Sequence, residues 1–284
     1  MPTKLLTANE LKDKYIVSRN LPSIWCSGCG VGTVLGATMR AIDNLGLDKK
    51  DVVFTIGIGC SGYSSKYVAF DVAHTTHGRA LTTATGLKLA NPKLKVITLT
   101  GDGDGTGIGG NHFIHAARRN IDITAILFNN SIYGMTGGQY SPATPTGSIS
   151  TTSPYGMVEG QIDPCELAVA AGATYVARAS TYHVRVLQDL IAKAIAHKGF
   201  SLVEAITQCP NQFGRLNKIG AAPEMMKQYK EKCVRVNSIR DEVPEGKLKI
   251  GELYKADRPE YTELYAKVQE EAQRRAAARA AKGS

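Results

Sequence analysis

Five short apolar runs rich in β-branched residues, separated by stretches of helical period, constrain this chain more than any other feature. VVFTIGIG (52–59), LKVITLTG (94–101), ITAILFNN (123–130), TYVARA (174–179) and SLVEAITQ (201–208) read as buried parallel strands. Helices are expected over 31–46, 79–90, 110–119, 163–171 and 181–198, the fourth opened by the N-cap and first-turn proline pair Asp163-Pro164. Strand and helix in alternation imply an α/β fold with a doubly wound, mostly parallel sheet, whose ligands bind beyond the carboxyl ends of the strands. The period breaks over 130–160, where Gly, Pro, Ser and Thr dominate, and a loop of that length inside a domain marks function or disorder. After residue 210 the chain turns polar and closes in a helix near 259–281, expected to be a solvated or subunit-packing face. The organisation read from this is an α/β domain over 1–215 with a partly helical extension over 216–284.

Composition excludes several classes. With 284 residues, 43% hydrophobic and 21% charged, the chain can bury a core and is not disordered. Its apolar runs fall short of the roughly 18–20 residues that span a bilayer, and the start MPTKLLTANELKDK has no apolar signal core, so a cytoplasmic protein without membrane contact is expected. The net charge of +9 is spread along the body, which suits acidic partners or anionic metabolites. No helix-turn-helix, zinc-finger or aromatic RNA-binding signature accompanies it, so nucleic acid is not expected.

The densest chemistry lies in ITLTGDGDGTGIGGNHF (97–113), a strand entering a glycine-rich turn before a helix. Glycines let the backbone approach a phosphate, and a helix N-terminus favours an anion. Lys-Ser/Thr of a phosphate loop is missing, and Asp102 and Asp104 sit inside the turn, which makes sense where Mg²⁺ bridges carboxylate and diphosphate. A second strand ends in Asn129-Asn130, with 26 residues between Gly103 and Asn130. This GDG-to-NN arrangement resembles the thiamine diphosphate-binding motif. The resemblance implies that Asp102, Asn130 and the carbonyl of Ile132 bind Mg²⁺, and that Gly101, Asp102, Gly103, Asp104 and Asn130 contact the cofactor.

Six cysteines are too few for a disulfide scaffold. The pair in WCSGC (25–29) admits three readings: a thioredoxin-like redox pair, structural zinc, or part of an iron–sulfur site. Cys60 and Cys209 fall at expected strand ends, and the Cys-Pro pair at 209–210 recurs among cluster ligands. Cys165, inside an expected helix, reads as a small buried hydrophobe, and Cys233 has no such placement.

WCSGCG (25–30), GIGCSG (57–62), HGRALTTATGLKLANP (77–92), GDGDGTGIGGNHFIHAARRN (101–120) and NNSIYGMTGGQYSPAT (129–144) together resemble the β subunits of 2-oxoacid:ferredoxin oxidoreductases, over roughly residues 15–215. The wording is most like the 2-oxoglutarate enzymes. The resemblance implies reversible, coenzyme A-dependent oxidative decarboxylation of 2-oxoglutarate to succinyl-CoA and CO₂, with ferredoxin as acceptor. It implies thiamine diphosphate, Mg²⁺ and one four-iron, four-sulfur cluster on Cys26, Cys29, Cys60 and Cys209. It also implies an α subunit, supplying the carboxylate that activates the cofactor, in a dimer of αβ pairs. Gly59, Cys60, Ser61, His77, Thr136 and Gln139 are expected at the cofactor, with His77, Thr136 and Tyr63 as catalytic or selectivity residues. His74 and Arg79 are further candidates, and His112 and His115 are expected to pack or cap. The alternatives are the same chemistry on pyruvate or branched-chain 2-oxoacids, a cluster-free thiamine enzyme, and a zinc- or cluster-containing electron-transfer subunit.

Overall fold

The computed structural model describes residues 6–282, so the first five residues of the segment read for a leader, and the last two of the tail, lie outside it. In chain order the elements are α1 (Ala8–Tyr15), α2 (Val31–Asn44), β1 (Val52–Ile56), β2 (Asp71–His74), α3 (Ala80–Ala90), β3 (Lys95–Gly101), α4 (Gly110–Arg119), β4 (Ile123–Asn129), α5 (Pro164–Ala171) and β5 (Tyr175–Ser180). They continue through α6 (Val184–Ala196), β6 (Ser201–Ile206), α7 (Ala222–Lys232), β7 (Cys233–Arg235), β8 (Leu248–Lys255) and α8 (Tyr261–Lys282). The eight strands form one sheet in the order β2-β1-β3-β4-β6-β5-β8-β7. It is parallel from β2 to β5, and β8 joins antiparallel to β5.

The central strands are continuous apolar runs because both sheet faces are covered. β4 is buried at every position, as a strand between two helical layers must be. On one face α2 and α6 pack Val34, Met39, Ile42, Leu187 and Ile191 against Phe54, Leu99 and Val203. On the other, α3, α4 and α5 pack Ala84, Phe113, Ala117 and Ala168 against Val96, Ala125 and Leu202. Each large buried apolar side chain contributes about 1.5–3 kcal/mol; truncating Phe113 would cost about 3–5 kcal/mol. The start expected at Asp163-Pro164 is present: Asp163 accepts from the amides of Cys165 and Glu166, and α5 stops at Gly172, whose φ of 103° lies in the left-handed region.

The connections explain where a ligand can go. From β1 the chain passes outward to β2, returns to β3 on the other side of β1, and then moves to β4. The loops after β1 and β3 therefore part company, and the crevice between them opens at the carboxyl ends of the strands. The long segment from 130 to 162 has no helix or strand of its own, yet it is tied by backbone bonds such as Tyr133 N to Gln139 O at 2.9 Å and Gly147 N to Met157 O at 2.7 Å. The extension after residue 215 is more than the partly helical tail expected, because β7 and β8 widen the same sheet.

Candidate active site

The crevice is lined by the loops that follow β1, β2, β3 and β4. Gly59, Cys60, Ser61, His77, Gly101, Asp102, Gly103, Asp104, Asn130, Ile132 and Thr136, expected from sequence, all line it, together with Ile58, Tyr133, Gly134 and Met135. After β3 the backbone makes a wide π turn over Gly103–Ile108 before α4 begins, the kind of irregular helix start that gathers amides at functional sites. A side chain at Gly103 would put its Cβ 2.3 Å from the Tyr133 ring, whose hydroxyl donates to the Gly103 carbonyl at 2.8 Å. Only glycine fits that turn.

Three groups converge at the foot of the crevice. The end of the Asn130 side-chain amide lies 3.2 Å from Asp102 Oδ1 and 2.7 Å from the Ile132 carbonyl oxygen. An amide end can be nitrogen, donating to both acceptors, or oxygen, joining them as a third oxygen ligand. Carboxylate, amide and backbone carbonyl within that span form a hard-oxygen donor set suited to Mg²⁺. Asp102 is buried, and burial pushes its carboxyl up to about 7 although the Ser141 hydroxyl opposes the shift. Ser141 Oγ donates to Asp102 Oδ2 at 2.5 Å. The buried carboxylate is held by the Ser141 hydroxyl and by the amides of its own turn, and a cation would offset the remaining cost of burial. Beside it, the buried hydroxyl of Ser61 has no partner among the described residues. These residues fit magnesium and a diphosphate.

Asp104 does something different from Asp102. Its Oδ1 accepts from His77 Nδ1 at 2.6 Å, Gly78 N at 2.7 Å and Ile58 N at 3.2 Å, and its Oδ2 accepts from Thr100 Oγ1 at 2.6 Å. Four protein donors occupy the carboxylate, so it ties the loops together and makes Nδ1 the protonated nitrogen of His77. Nε2 is left as the free nitrogen of the partly exposed imidazole. Thr136 faces the crevice, whereas Gln139 stands at its outer rim, bonded to Thr136 by Oγ1 to Oε1 at 2.5 Å and Nε2 to O at 3.0 Å. Tyr63 stands apart from the residues that line the crevice. It packs against the α2 side of the core under Lys66, whose Nζ is 5.0 Å from its ring. The helical turn Gly62–Lys66 carries it away from the site. His74 sits at the end of β2 and Arg79 reaches only the Ile108 carbonyl at 3.5 Å; neither lines the crevice. His115 accepts from Arg118 at 3.3 Å on α4.

A second cavity of about 180 Å³ shares a wall with the first and brings Cys26, Cys29, Cys60 and Cys209 together. The Cys26–Cys29 turn is fixed by Cys29 N to Cys26 O at 3.0 Å and by Gln208 Nε2 to Gly28 O at 3.0 Å; Trp25 Nε1 donates to the Cys60 carbonyl at 2.8 Å. All four are free thiols. Burial pushes the Cys29 thiol up to about 11 and the Cys60 thiol up to about 12. Among the described residues no three of these sulfurs lie within 4.8 Å of one another. A tetrahedral Zn–S bond of about 2.3 Å needs sulfurs roughly 3.8 Å apart, so the spread suits a larger inorganic body. A Cβ on Gly134 would stand 3.5 Å from both Cys60 Sγ and Cys209 Sγ; glycine keeps that approach open.

Sequence reasoning missed Ser141 and the buried residues next to Asn129. Cys165 is buried as expected, yet its Sγ donates to Glu204 Oε2 at 3.2 Å, so it belongs to a polar cluster. The repeated asparagine is the available signal, since the metal-binding motif uses only the second of the pair.

Residues 57–205 match the family described as thiamine pyrophosphate enzyme, C-terminal TPP binding domain. The chain is 49% identical over 261 residues to a protein named 2-oxoglutarate synthase subunit KorB from Methanothermobacter marburgensis, covering 90% of this chain and 92% of that one. A protein of the same name from Methanocaldococcus jannaschii is 47% identical over 253 residues, covering 88% and 94%. Among solved structures, the 2-oxoglutarate:ferredoxin oxidoreductase from Magnetococcus marinus with 2-oxoglutarate, coenzyme A and succinyl-CoA bound superposes with a TM-score of 0.83 at 35% identity, over 92% of this chain and 90% of that one.

Proposed function

The chain belongs to the β-subunit family of the 2-oxoacid:ferredoxin oxidoreductases that includes the 2-oxoglutarate synthase subunits KorB, and from that membership we propose that it is the thiamine diphosphate-binding subunit of a 2-oxoglutarate:ferredoxin oxidoreductase. The reaction converts 2-oxoglutarate and coenzyme A to succinyl-CoA and CO₂ and passes two electrons, one at a time, to ferredoxin. One observation carries the reading: a hard-oxygen donor set and a four-thiol cavity stand on either side of one wall. The name of the substrate rests on the relatives and on the ligands of the solved neighbour.

Thiamine diphosphate supplies, when bound, the nucleophilic carbon that makes decarboxylation of a 2-oxoacid possible. Asp102, Asn130 and the Ile132 carbonyl would hold Mg²⁺, while Ser61 and the turn Gly101–Asp104 would hold the diphosphate. His77, locked by Asp104, would take or give a proton at Nε2 beside the substrate. Cys26, Cys29, Cys60 and Cys209 would hold the iron–sulfur cluster, which accepts electrons singly.

The site also calls for a partner. The carboxylates lining the crevice, Asp102 and Asp104, are both engaged elsewhere, so the carboxylate that activates the aminopyrimidine comes from another chain. Exposed apolar residues stand at the opening, Ile58 and Met135 on its wall and Ile108 beside Gly78, and the long loop exposes Tyr155 and Val158. Such a rim is an interface, and an α subunit is its occupant, in a dimer of αβ pairs in the cytoplasm. No helix among the described residues is long and apolar enough to cross a membrane.

The test is the complex with its α partner, purified without oxygen and offered 2-oxoglutarate, pyruvate and a branched-chain 2-oxoacid with a viologen acceptor. Coenzyme A-dependent viologen reduction with 2-oxoglutarate preferred is expected. Preference for another 2-oxoacid would reassign the substrate, and no coenzyme A-dependent reduction with any of them would sink the reading.

A further inference from the structure

β6 carries Glu204 in register with Leu127 of β4, and β5 carries Arg178 in register with Glu204. Both side chains are almost wholly buried. An ion pair inside a sheet forfeits hydration that an apolar pair would not, so stability alone is a weak reason for it. Arg178 Nε donates to Glu204 Oε2 at 2.5 Å, and a terminal guanidinium nitrogen donates to Asp163 Oδ1 at 2.5 Å. Asp163, Cys165 and Glu204 bring three metal-type donor atoms within 4.8 Å, but the guanidinium already stands where a cation would.

The second oxygen of Glu204 points out of this cluster. Oε1 accepts from Asn129 Nδ2 at 2.7 Å, and Asn129 Oδ1 accepts from Ser131 N at 3.0 Å. That turn holds Ser131 at a φ of 62°, a region that non-glycine residues seldom adopt, and it leads directly to the Ile132 carbonyl. The Ser131 carbonyl accepts from Thr144 Oγ1 at 2.6 Å; the same hydroxyl accepts from Ser141 N at 2.8 Å; Ser141 Oγ donates to Asp102 Oδ2 at 2.5 Å. The chain of bonds therefore starts at a buried ion cluster and ends on both arms of the magnesium site.

We propose that Glu204, held by Arg178, is the anchor of a positioning device that runs through Asn129, Ser131, Thr144 and Ser141 and sets the separation of Asp102, Asn130 and the Ile132 carbonyl, and with it the affinity for Mg²⁺ and thiamine diphosphate. This rests on the cofactor reading above. None of the five touches the metal; they act through the groups that do. Loss of an outer partner of this kind weakens metal binding by about 10–100-fold.

The experiment uses the complex with its α partner, stripped of cofactor, and measures by calorimetry the Mg²⁺ concentration that half-saturates thiamine diphosphate binding, alongside the melting temperature. Asn129→Asp keeps the acceptor for Ser131 but sets oxygen against Glu204 Oε1, and it should raise that concentration about tenfold or more. Combining it with Glu204→Gln lets donor and acceptor trade places with the buried charge conserved, and should restore the value to within about threefold, the double-cycle signature of direct coupling. Thr144→Val, which alters no charge, should also raise it and carries the test if Asn129→Asp does not fold. A lower melting temperature with unchanged Mg²⁺ dependence in Asn129→Asp or Thr144→Val would make the cluster merely structural and overturn the proposal, as would a folded double variant that fails to recover. Wild-type complex that binds thiamine diphosphate without regard to Mg²⁺, or not at all, would instead overturn the cofactor reading on which this rests.

Discussion

The two cavities differ in the atoms they offer and agree in the wall they share. The crevice presents oxygens from Asp102, Asn130 and Ile132; its neighbour presents sulfurs from Cys26, Cys29, Cys60 and Cys209. Cys60, Asn130, Gly134 and Met135 line both. On the proposed reading the oxygens would hold magnesium and the thiolates an iron–sulfur cluster, so the two cofactors could be loaded independently while standing within one side chain of each other. That proximity is what the proposed function would use: a center that releases electrons beside one that accepts them.

Independence can be broken from either side. Asp102→Ala should abolish Mg²⁺-dependent thiamine diphosphate binding and lower turnover of the complex by about 10³, roughly 4 kcal/mol at 1.36 kcal/mol per decade, while iron content by colorimetric assay stays at the wild-type level. A control comes from the opposite end of the sheet, where Lys88 pairs with Asp122 at 2.6 Å in the interior. Asp122→Ala should cost about 3 kcal/mol of stability and leave both cofactors in place, as denaturation and cofactor analysis would register. Its pH dependence has a definite sign. Burial works against the Asp122 charge, and the Lys88 ammonium outweighs it, holding the carboxyl below its usual value. That stabilisation is complete above the unfolded value of about 3.9 and is lost as pH falls through the lower folded one, so the difference between wild type and variant should shrink in acid. Cys209→Ala should strip most of the iron and cut acceptor reduction by about 10²-fold, near 2.7 kcal/mol, with thiamine diphosphate affinity preserved. Gly134→Ala makes ordinary contact with Cys60 and Cys209 sulfur at 3.5 Å and with the Asn130 amide at 3.7 Å. It should fold and weaken both sites by about threefold, under 1 kcal/mol; an effect on one site alone would show that the wall is not shared.

What was legible in the sequence follows from how local each feature is. β3 and β4 could be read because strands covered on both faces must be apolar throughout, and the turn after β3 could be read because its glycines and aspartate are contiguous. β2, with the residues DVAH, is half exposed at the sheet edge. β8, LKIGELYK, owes its place to antiparallel pairing with β5, some seventy residues earlier in the chain; neither carries an apolar signal. The same split runs through the site. Asp102 and Asn130 announce themselves by motif, whereas Ser141 matters because the loop folds back 39 residues onto Asp102. Asp104 is contiguous with the motif and lines the crevice, but its clamp on His77 shows only in its four donors. Tyr63, three residues from Cys60, illustrates the converse: nearness along the chain did not place it in the crevice.

The central claim, that an oxygen site and a sulfur site share one wall and hold different cofactors, is tested most directly by anaerobic metal and cofactor analysis of the chain co-purified with its α partner. The account expects iron and acid-labile sulfide near four each, as in a [4Fe–4S] cluster, with thiamine diphosphate and magnesium close to one of each per β chain. Zinc in place of iron, or thiamine diphosphate without iron under strict exclusion of oxygen, would contradict it.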